Sequence, residues 1–185
     1  MYEISGITCS GKSTKLKNIA LKKSIFLKKK SVLHFLYGFY FICKTANFKK
    51  LNFIIRKTYY ADNRIFIKIK VFLNTIAKFY YVNINTNELV DEGFIQIPFL
   101  LMLSDDDIDN FFTLFLQEIS KVNLLWISSE KKIIIDRLSI RGHHRFVGKN
   151  KAYMLWFVNK NLQIMKRIEY NLNKHNVNYE NVNEY

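Results

Sequence analysis

The residues best suited to chemistry lie at positions 6–13, where the chain matches the pattern G-x-x-x-x-G-K-[ST] once. In such a loop, backbone N–H groups surround the phosphates of a nucleotide, a lysine reaches the terminal phosphates and a hydroxyl ligates magnesium. The sequence assigns the last two roles to Lys12 and Ser13. We therefore expect ATP and Mg²⁺ as cofactors. The nucleotide-binding residues predicted from this loop are Gly6, Thr8, Cys9, Ser10, Gly11, Lys12, Ser13 and Thr14.

The elements around this phosphate loop have the arrangement that phosphate binding requires. Residues 1–5 are predicted to form a short strand, and residues 14–23 a helix with apolar positions at Leu16 and Ile19. A strand followed by a glycine loop and a helix brings the N–H groups of the loop to the positive end of the helix dipole. An incidental glycine turn is the alternative interpretation, and the position of the motif between a strand and a helix argues against it.

A pair of carboxylates, Asp91 and Glu92, follows directly after a strand predicted at residues 87–90. In a parallel sheet the carboxyl ends of the strands open onto one crevice, so this pair is expected to face the phosphate loop. One carboxylate can hold hydrated magnesium while the other accepts the proton of a phosphoryl acceptor. We predict Glu92 as general base or metal ligand and Asp91 in the second role. The alternative is an acidic loop without chemistry.

A third cluster consists of arginines on one predicted helix and in the loop after it. Arg137 and Arg141 are four residues apart and share a helix face, and Arg145 follows in the loop. Guanidinium groups stabilise the charge on a transferring phosphoryl group, and a mobile loop can deliver them when substrate binds. We predict a lid at about 137–149, with Arg137 binding the nucleotide and Arg141 and Arg145 in catalysis. A solvated run of charges is the alternative.

Strands alternate with helices along the rest of the chain, which predicts an α/β fold with a largely parallel sheet in a single domain, residues 1–185. Residues 63–80 are predicted to form a helix, and residues 31–43 a buried strand or short helix. The apolar stripe expected to turn the first of these helices toward the core is Ile65, Ile69, Phe72, Leu73, Ile76 and Phe79. The other predicted elements are an apolar helix interrupted by Pro98, helices at 109–119 (with a capping cluster at 104–107), 129–141 and 149–174, and strands at 122–127 and 177–182.

The net charge of +14 indicates an anionic partner without identifying it, since nucleic acid, an anionic membrane and phosphorylated small molecules all fit. The two cysteines, Cys9 and Cys43, have neither metal-ligand spacing nor the density of a secreted disulfide scaffold. No apolar signal segment precedes the phosphate loop, and the longest aromatic-apolar run, residues 33–43, is about half as long as a bilayer span requires. We therefore expect a cytoplasmic protein.

The order of these features resembles a known family. The strand at residues 124–127, then Asp136-Arg137-Leu138, Arg141-Gly142 and Arg145-Phe146, is similar to the sequence around the lid of thymidylate-kinase-like P-loop kinases. The resemblance implies a P-loop NTPase fold of three layers, α/β/α, with a short lid whose arginines contact the phosphates of ATP. It also implies that Asp91-Glu92 occupies the place of the acidic motif that contacts acceptor and magnesium. Gly93 stands where many members of the family have an arginine.

Three functional hypotheses follow from these features. The preferred one is an ATP- and magnesium-dependent kinase of a small-molecule acceptor, most often a nucleotide or nucleoside in this family, with a sugar or lipid-linked acceptor as a variant. The second is a nucleotide-hydrolysing regulatory or nucleic-acid-associated protein, which the basic and aromatic stretch at residues 48–60 supports. The third is a nucleotide-binding scaffold without turnover. The sequence leaves a homodimer open and favours neither nucleic acid nor an anionic membrane as partner.

Overall fold

The computed structural model describes residues 1–8, 10–12, 15–16, 18–19, 26–27, 33–44, 48–61, 64–83, 88–141 and 150–182. Its centre is one parallel sheet with the strand order β2-β3-β1-β4-β5. The strands are β1 (Tyr2–Gly6), β2 (Phe26–Leu27), β3 (Glu88–Asp91), β4 (Asn123–Ile127) and β5 (Tyr179–Asn181). The prediction of a largely parallel sheet is therefore confirmed, including the short strand near the end of the chain.

The register of the strands brings three carboxyl ends together around β1. Ile4 pairs with Asp91 of β3 on one side, and Gly6 pairs with Ile127 of β4 on the other. The chain runs from β1 to β2 and β3 on one side and then crosses to β4 on the other side. β1 therefore ends at the point where the strand order reverses, which is the position where open α/β sheets bind ligands.

Both faces of the sheet are covered, because the strands alternate their side chains between two apolar clusters. Ile4, Leu125 and Ile127 pack on one face with Leu16 and Ile19 of the helix that follows the phosphate loop. On the other face, the larger cluster joins strand residues to helices and includes Val90, Leu124, Trp126, Phe94, Phe111 and Phe115. The expected three-layer α/β/α arrangement is thus present.

The helices follow the predicted order with shifted ends, except that the helix at residues 48–61 was not predicted. They are α1 (Leu33–Lys44), α2 (Phe48–Ala61), α3 (Ile65–Asn83), a 3₁₀ turn (Phe94–Gln96), α4 (Ile97–Leu101), α5 (Asp105–Ile119), α6 (Lys131–Arg141) and α7 (Lys151–Lys174). Ser104 caps α5, since its Oγ accepts a hydrogen bond from the Asp107 N–H at 3.3 Å. Pro98 lies in the first turn of α4 rather than interrupting a helix, because the first turn needs no N–H donor there. None of the described helices is long and apolar enough to cross a bilayer.

Two predictions about burial are wrong. Of the two alternatives predicted for residues 31–43, the helix is confirmed as α1 (Leu33–Lys44), but it is not buried as a whole, because His34, Gly38 and Ile42 are buried while five large apolar side chains are exposed. The apolar stripe of α3 faces the core only in its second half, where Ile76 and Phe79 are buried. Hydrophobic spacing identifies the apolar side of a helix but cannot say whether another layer covers it. The exposed apolar residues of these two helices are Leu33, Leu36, Tyr37, Phe39, Tyr40, Ile65, Phe66, Ile69 and Leu73.

Candidate active site

The phosphate loop leaves β1 through a backbone conformation that only glycine adopts easily. Gly6 has a φ of +149°, and a Cβ at this position would lie 2.2 Å from the carbonyl oxygen of Ile127. Gly11 also has a positive φ, of 94°, and its carbonyl accepts the first helical hydrogen bond, from the Lys15 N–H at 3.2 Å. The predicted sequence of strand, glycine loop and helix is therefore present. Cys9, Ser13 and Thr14 lie outside the described residues, whereas Thr8 forms part of the turn.

Lys12 turns its side chain back over this loop. Its Nζ donates hydrogen bonds to the carbonyl oxygens of Gly6, at 2.9 Å, and Ile7, at 2.8 Å, and is nearly buried. Glu92 Oε1 lies 3.8 Å from the same ammonium group. The structure thus brings the predicted lysine and the predicted carboxylate together, across the crevice between β1 and β3.

Ser10 supplies a polar group inside the loop. Its side chain is fully buried, and its Oγ has no hydrogen-bond partner among the described residues. The Ser10 N–H donates to the Ile7 carbonyl at 3.2 Å, and its own carbonyl accepts a 3.0 Å hydrogen bond from Ser129 Oγ. A buried hydroxyl without a partner costs free energy, about 1–3 kcal/mol, unless a ligand or water satisfies it. A phosphate oxygen is a suitable acceptor for this group.

Glu92 is held in a strained backbone conformation directly after β3. Its φ is +55°, in the left-handed region that costs a non-glycine residue roughly 1–2 kcal/mol. Two hydrogen bonds fix it there: its N–H donates to the Ile4 carbonyl at 3.1 Å, and its carbonyl accepts a bond from Lys78 Nζ. Strain that is held by several contacts is typical of functional sites. The carboxylate of Glu92 remains partly exposed, facing Lys12, while Asp91 ends the strand beside it.

A buried charge pair supports this segment from behind. Lys78 of α3 is buried, and so is Glu3 of β1, whose Oε2 accepts a 3.1 Å hydrogen bond from the Ile95 N–H. Burial raises the pKa of Glu3 from its ordinary value of 4.5 to about 7, and the nearby positive charge of Lys78 opposes that rise. The sequence analysis missed both residues. The signal available was a charged residue inside an otherwise apolar strand or helix face.

Gly93 and Gln96 connect the acidic segment to β1. A Cβ on Gly93 would lie 2.6 Å from Glu3 Oε2, so no larger side chain fits where the resembled family carries arginine. Gln96 Oε1 accepts hydrogen bonds from Ser5 Oγ, at 2.8 Å, and from the Gly6 N–H, at 3.3 Å. The buried amide thereby ties the start of the phosphate loop to the 3₁₀ turn. Gln96 was also missed, since a glutamine among apolar residues carries no motif.

The predicted lid lies mostly outside the described residues. Arg137 is on α6 and half-buried, and Arg141 is the last residue of that helix. Arg145 lies in the segment 142–149, which is not among the described residues. The three arginines therefore stay predictions. The helix that carries Arg137 and Arg141 begins at Lys131, two residues later than predicted.

The residues present fit a nucleotide phosphate with a magnesium ion. Lys12 provides positive charge and Ser10 a buried donor, and the N-terminus of a helix in general offers N–H groups to an anion. Among the described residues, no group of three or more His, Cys, Asp or Glu could hold a metal alone. Magnesium in phosphoryl-transfer sites is held by one or two protein oxygens together with the phosphates, so Glu92 alone suffices on this side.

A cavity of about 770 Å³ lies away from this site. Its lining includes Asn123, Gln117, His175 and Asn178. Asn123 begins β4, whereas the phosphate loop lies at the carboxyl ends of the strands. The cavity therefore lies at the amino ends of the strands, opposite the end that carries Lys12 and Glu92, and is separate from that pair. Residues 94–102 are largely buried core.

Comparison with known proteins gives a structural relative and no sequence relative. The chain is similar to the solved structure of deoxyadenosine kinase from M. mycoides with products dCMP and a flexible dCDP bound. The similarity has a TM-score of 0.53 at 13% sequence identity and covers 100% of this chain and 88% of that chain. No family model and no curated protein matches the sequence. The chain therefore shares the α/β fold of that kinase structure.

Proposed function

We propose that this protein is an ATP- and magnesium-dependent phosphotransferase acting on a nucleoside or nucleotide. The observation that carries the proposal is the 3.8 Å approach of Lys12 Nζ and Glu92 Oε1 where the strand order reverses. A cation for the transferred phosphate and a carboxylate for the acceptor are the two groups that phosphoryl transfer requires from the protein. The strained backbone of Glu92, held by two hydrogen bonds, fixes the carboxylate in place.

Each side chain of the site has a distinct role in this proposal. Lys12 moves from the carbonyls of its own loop to the terminal phosphates, and Ser10 donates to a phosphate oxygen. The Ser13 hydroxyl would be one ligand of a magnesium ion, which would neutralise charge on the phosphates when bound. Glu92 accepts the proton of the acceptor hydroxyl or ligates the metal, and Asp91 takes the other role.

The arginines of the lid complete the proposal. Arg137 would bind the phosphates of ATP, and Arg141 and Arg145 would stabilise the charge on the transferring group. The loop before α6 contacts the phosphate loop, because Ser129 Oγ donates a hydrogen bond to the Ser10 carbonyl two residues before this helix begins. Closing the segment 142–149 over the nucleotide would exclude water from the transfer.

The acceptor class is proposed from two considerations. The similar kinase structure holds a deoxynucleoside monophosphate and diphosphate as products. The small single-domain size and the acidic segment after β3 also match what the resemblance to thymidylate-kinase-like enzymes implies. We therefore propose nucleosides and nucleoside monophosphates as the first acceptors to test, with sugars as the second class.

The test is ADP release from ATP and Mg²⁺ with a panel of nucleosides, nucleoside monophosphates and sugars. Lys12→Ala and Glu92→Gln are each expected to lower kcat with the best acceptor by about 10²–10⁴-fold, the range for losing a charge stabiliser or a general base. Lys166→Ala and Asp106→Asn are matched controls, because both residues are exposed on helices away from the site. The controls should retain wild-type kcat.

Two other outcomes would reject the proposal. ATP hydrolysis that no acceptor stimulates, and that Lys12→Ala abolishes, would indicate a hydrolytic regulatory protein. ATP binding without any turnover would indicate a scaffold, since Lys12→Ala would then change only the affinity for the nucleotide.

A further inference from the structure

The helices between β2 and β3 expose an unusual amount of apolar surface. Among the described residues, thirteen of the sixteen exposed large hydrophobic side chains lie on α1, α2 and α3. Phe66 is 84% exposed and Leu36 58% exposed. We call the exposed apolar faces of these three helices the aromatic surface, because seven of the thirteen residues are Phe or Tyr. A surface of this kind normally marks an interaction site.

The exposed residues are ordered rather than scattered. On α1, exposed apolar residues recur at helical spacing, at Leu33, Leu36, Tyr37 and Tyr40, and so form one stripe. On α3, Phe66, Ile69 and Leu73 form a second stripe with the same spacing. Each stripe is the apolar face of an amphipathic helix and stays largely exposed in the described structure, although Tyr37 also packs against Tyr80 with ring centroids 5.6 Å apart.

The two stripes belong to helices that lie side by side and antiparallel. His34 near the start of α1 stacks on Tyr80 near the end of α3, with ring centroids 4.4 Å apart. One turn later, Gly38 meets the Ile76 carbonyl so closely that a Cβ would lie 2.1 Å from it. Continuing this alignment brings the last turn of α1 level with residues 70–73 of α3. The C-terminal end of the α1 stripe therefore lies beside the α3 stripe.

Positive charge surrounds the aromatic surface. Residues 33–83 contain nine Lys or Arg and one acidic residue. Lys50 and Lys57 pair with Glu118 and Asp107, and Lys78 is buried, which leaves six basic residues for the surface of this segment. Lys44, Arg56 and Lys70 are exposed on the three helices. Lys68 Nζ lies 3.9 Å from the ring centroid of Tyr59. Helices that lie in a membrane interface typically combine aliphatic and aromatic side chains, including tyrosines, with lysines.

The charge distinguishes between the partners that such a surface could have. A symmetric contact with a second copy would place the same positive segment opposite itself, which is repulsive. Nucleic acid would stack on the tyrosines but leave aliphatic residues such as Leu36, Ile69 and Leu73 in water. An anionic bilayer satisfies both features, because its headgroups attract lysines and its acyl boundary takes up the aliphatic and aromatic side chains.

We propose that the aromatic surface of α1–α3 docks the protein on an anionic lipid membrane, as a peripheral contact that does not span it. This inference is independent of the proposed catalytic activity, because none of the exposed residues belongs to the candidate active site. Lipid binding and phosphoryl transfer can therefore fail separately.

The test is flotation of the purified full chain with vesicles of phosphatidylcholine alone or mixed with phosphatidylglycerol. We expect binding to the mixed vesicles only, weakened by added salt. Leu36→Asp/Phe66→Asp should weaken binding at least about tenfold, since two inserted side chains are lost. Ile140→Asp is the matched control, because Ile140 is 86% exposed on α6 and should not contribute.

A second pair of variants tests the charge. Lys44→Glu/Lys70→Glu should weaken binding to mixed vesicles about tenfold or more, whereas Lys132→Glu/Lys166→Glu, which changes the net charge equally at exposed sites elsewhere, should have a smaller effect. Circular dichroism checks that each variant is folded.

Three results would overturn the proposal. The first is no binding to mixed vesicles at low salt. The second is a dimer by light scattering that becomes monomeric in Leu36→Asp/Phe66→Asp, which would assign the surface to a second copy. The third is a loss of binding to a labelled single-stranded oligonucleotide in that variant while vesicle binding is unchanged.

Discussion

Gly93 separates the proposed catalytic carboxylate from the core, and its replacement tests how tightly that segment is built. A Cβ at this position would lie 2.6, 2.7 and 2.9 Å from Oε2, Cδ and Cγ of Glu3. Glu3 cannot simply move aside, because it is fully buried and its Oε2 accepts the Ile95 N–H. Gly93→Ala therefore forces one additional buried carbon into a filled space.

The expected cost follows from this overlap. Adding a carbon to a packed interior costs about 1–3 kcal/mol. For a chain of 185 residues, each 1 kcal/mol lowers Tm by roughly 2–4 °C, so Gly93→Ala should lower Tm by about 2–12 °C. Catalysis should also suffer, since the displaced segment includes Glu92.

The assay is urea unfolding, monitored by tryptophan fluorescence, which gives the free energy of unfolding. Trp126 is buried with its Nε1 donating to Glu169 Oε1 at 2.7 Å, so unfolding changes its environment. The substitution Gly93→Ala is measured alone and in a Glu3→Asp background. Aspartate withdraws the carboxylate by one methylene but keeps a negative charge near Lys78.

The two backgrounds give a decisive comparison. If Glu3 causes the cost, Gly93→Ala should be at least about 1 kcal/mol less damaging in the Glu3→Asp protein, as expected for residues in contact. An equal cost in both backgrounds would refute the steric argument. The backbone at Gly93 would then be the source of the effect.

Three more changes test other parts of the structure. Gly6→Ala should abolish ATP binding in calorimetry, because its Cβ meets the Ile127 carbonyl; wild-type affinity would contradict the loop geometry. Lys50→Met should lower the free energy of unfolding by about 3–5 kcal/mol, because it leaves the buried carboxylate of Glu118 without the ammonium group that lies 2.6 Å away. The double variant Lys50→Met/Glu118→Leu should recover most of this loss. Stability should fall as pH rises from about 4.5 to about 7, because folded Glu3, with its pKa raised to about 7, holds a proton that the unfolded chain releases. Glu3→Gln should remove that part of the pH dependence in thermal melts, a change of at most about 3 kcal/mol in the free energy of unfolding. If the stability of the wild type and of Glu3→Gln changed with pH in the same way, Glu3 would not titrate in this range.

The parts of the site that lie next to one another in sequence were predictable. The strand, glycine loop and helix around Lys12 follow from local spacing, because the glycines and the helix start act within a few residues. The acidic pair was also placed correctly at the end of a strand, since its position follows from the rule for parallel sheets. What was not predictable is that Lys78 would reach the carbonyl of Glu92 from a helix fourteen residues earlier.

The sequence by itself determined that this chain folds as an α/β protein with a glycine loop after its first strand, because period, turn chemistry and motif are local properties. Only the tertiary structure decided which groups surround that loop. It placed Glu92 beside Lys12 and buried Glu3, Lys78 and Gln96 behind them. It also left the stripes of α1 and α3 uncovered, because the burial of a helix face depends on elements distant in the chain, and no local pattern records them.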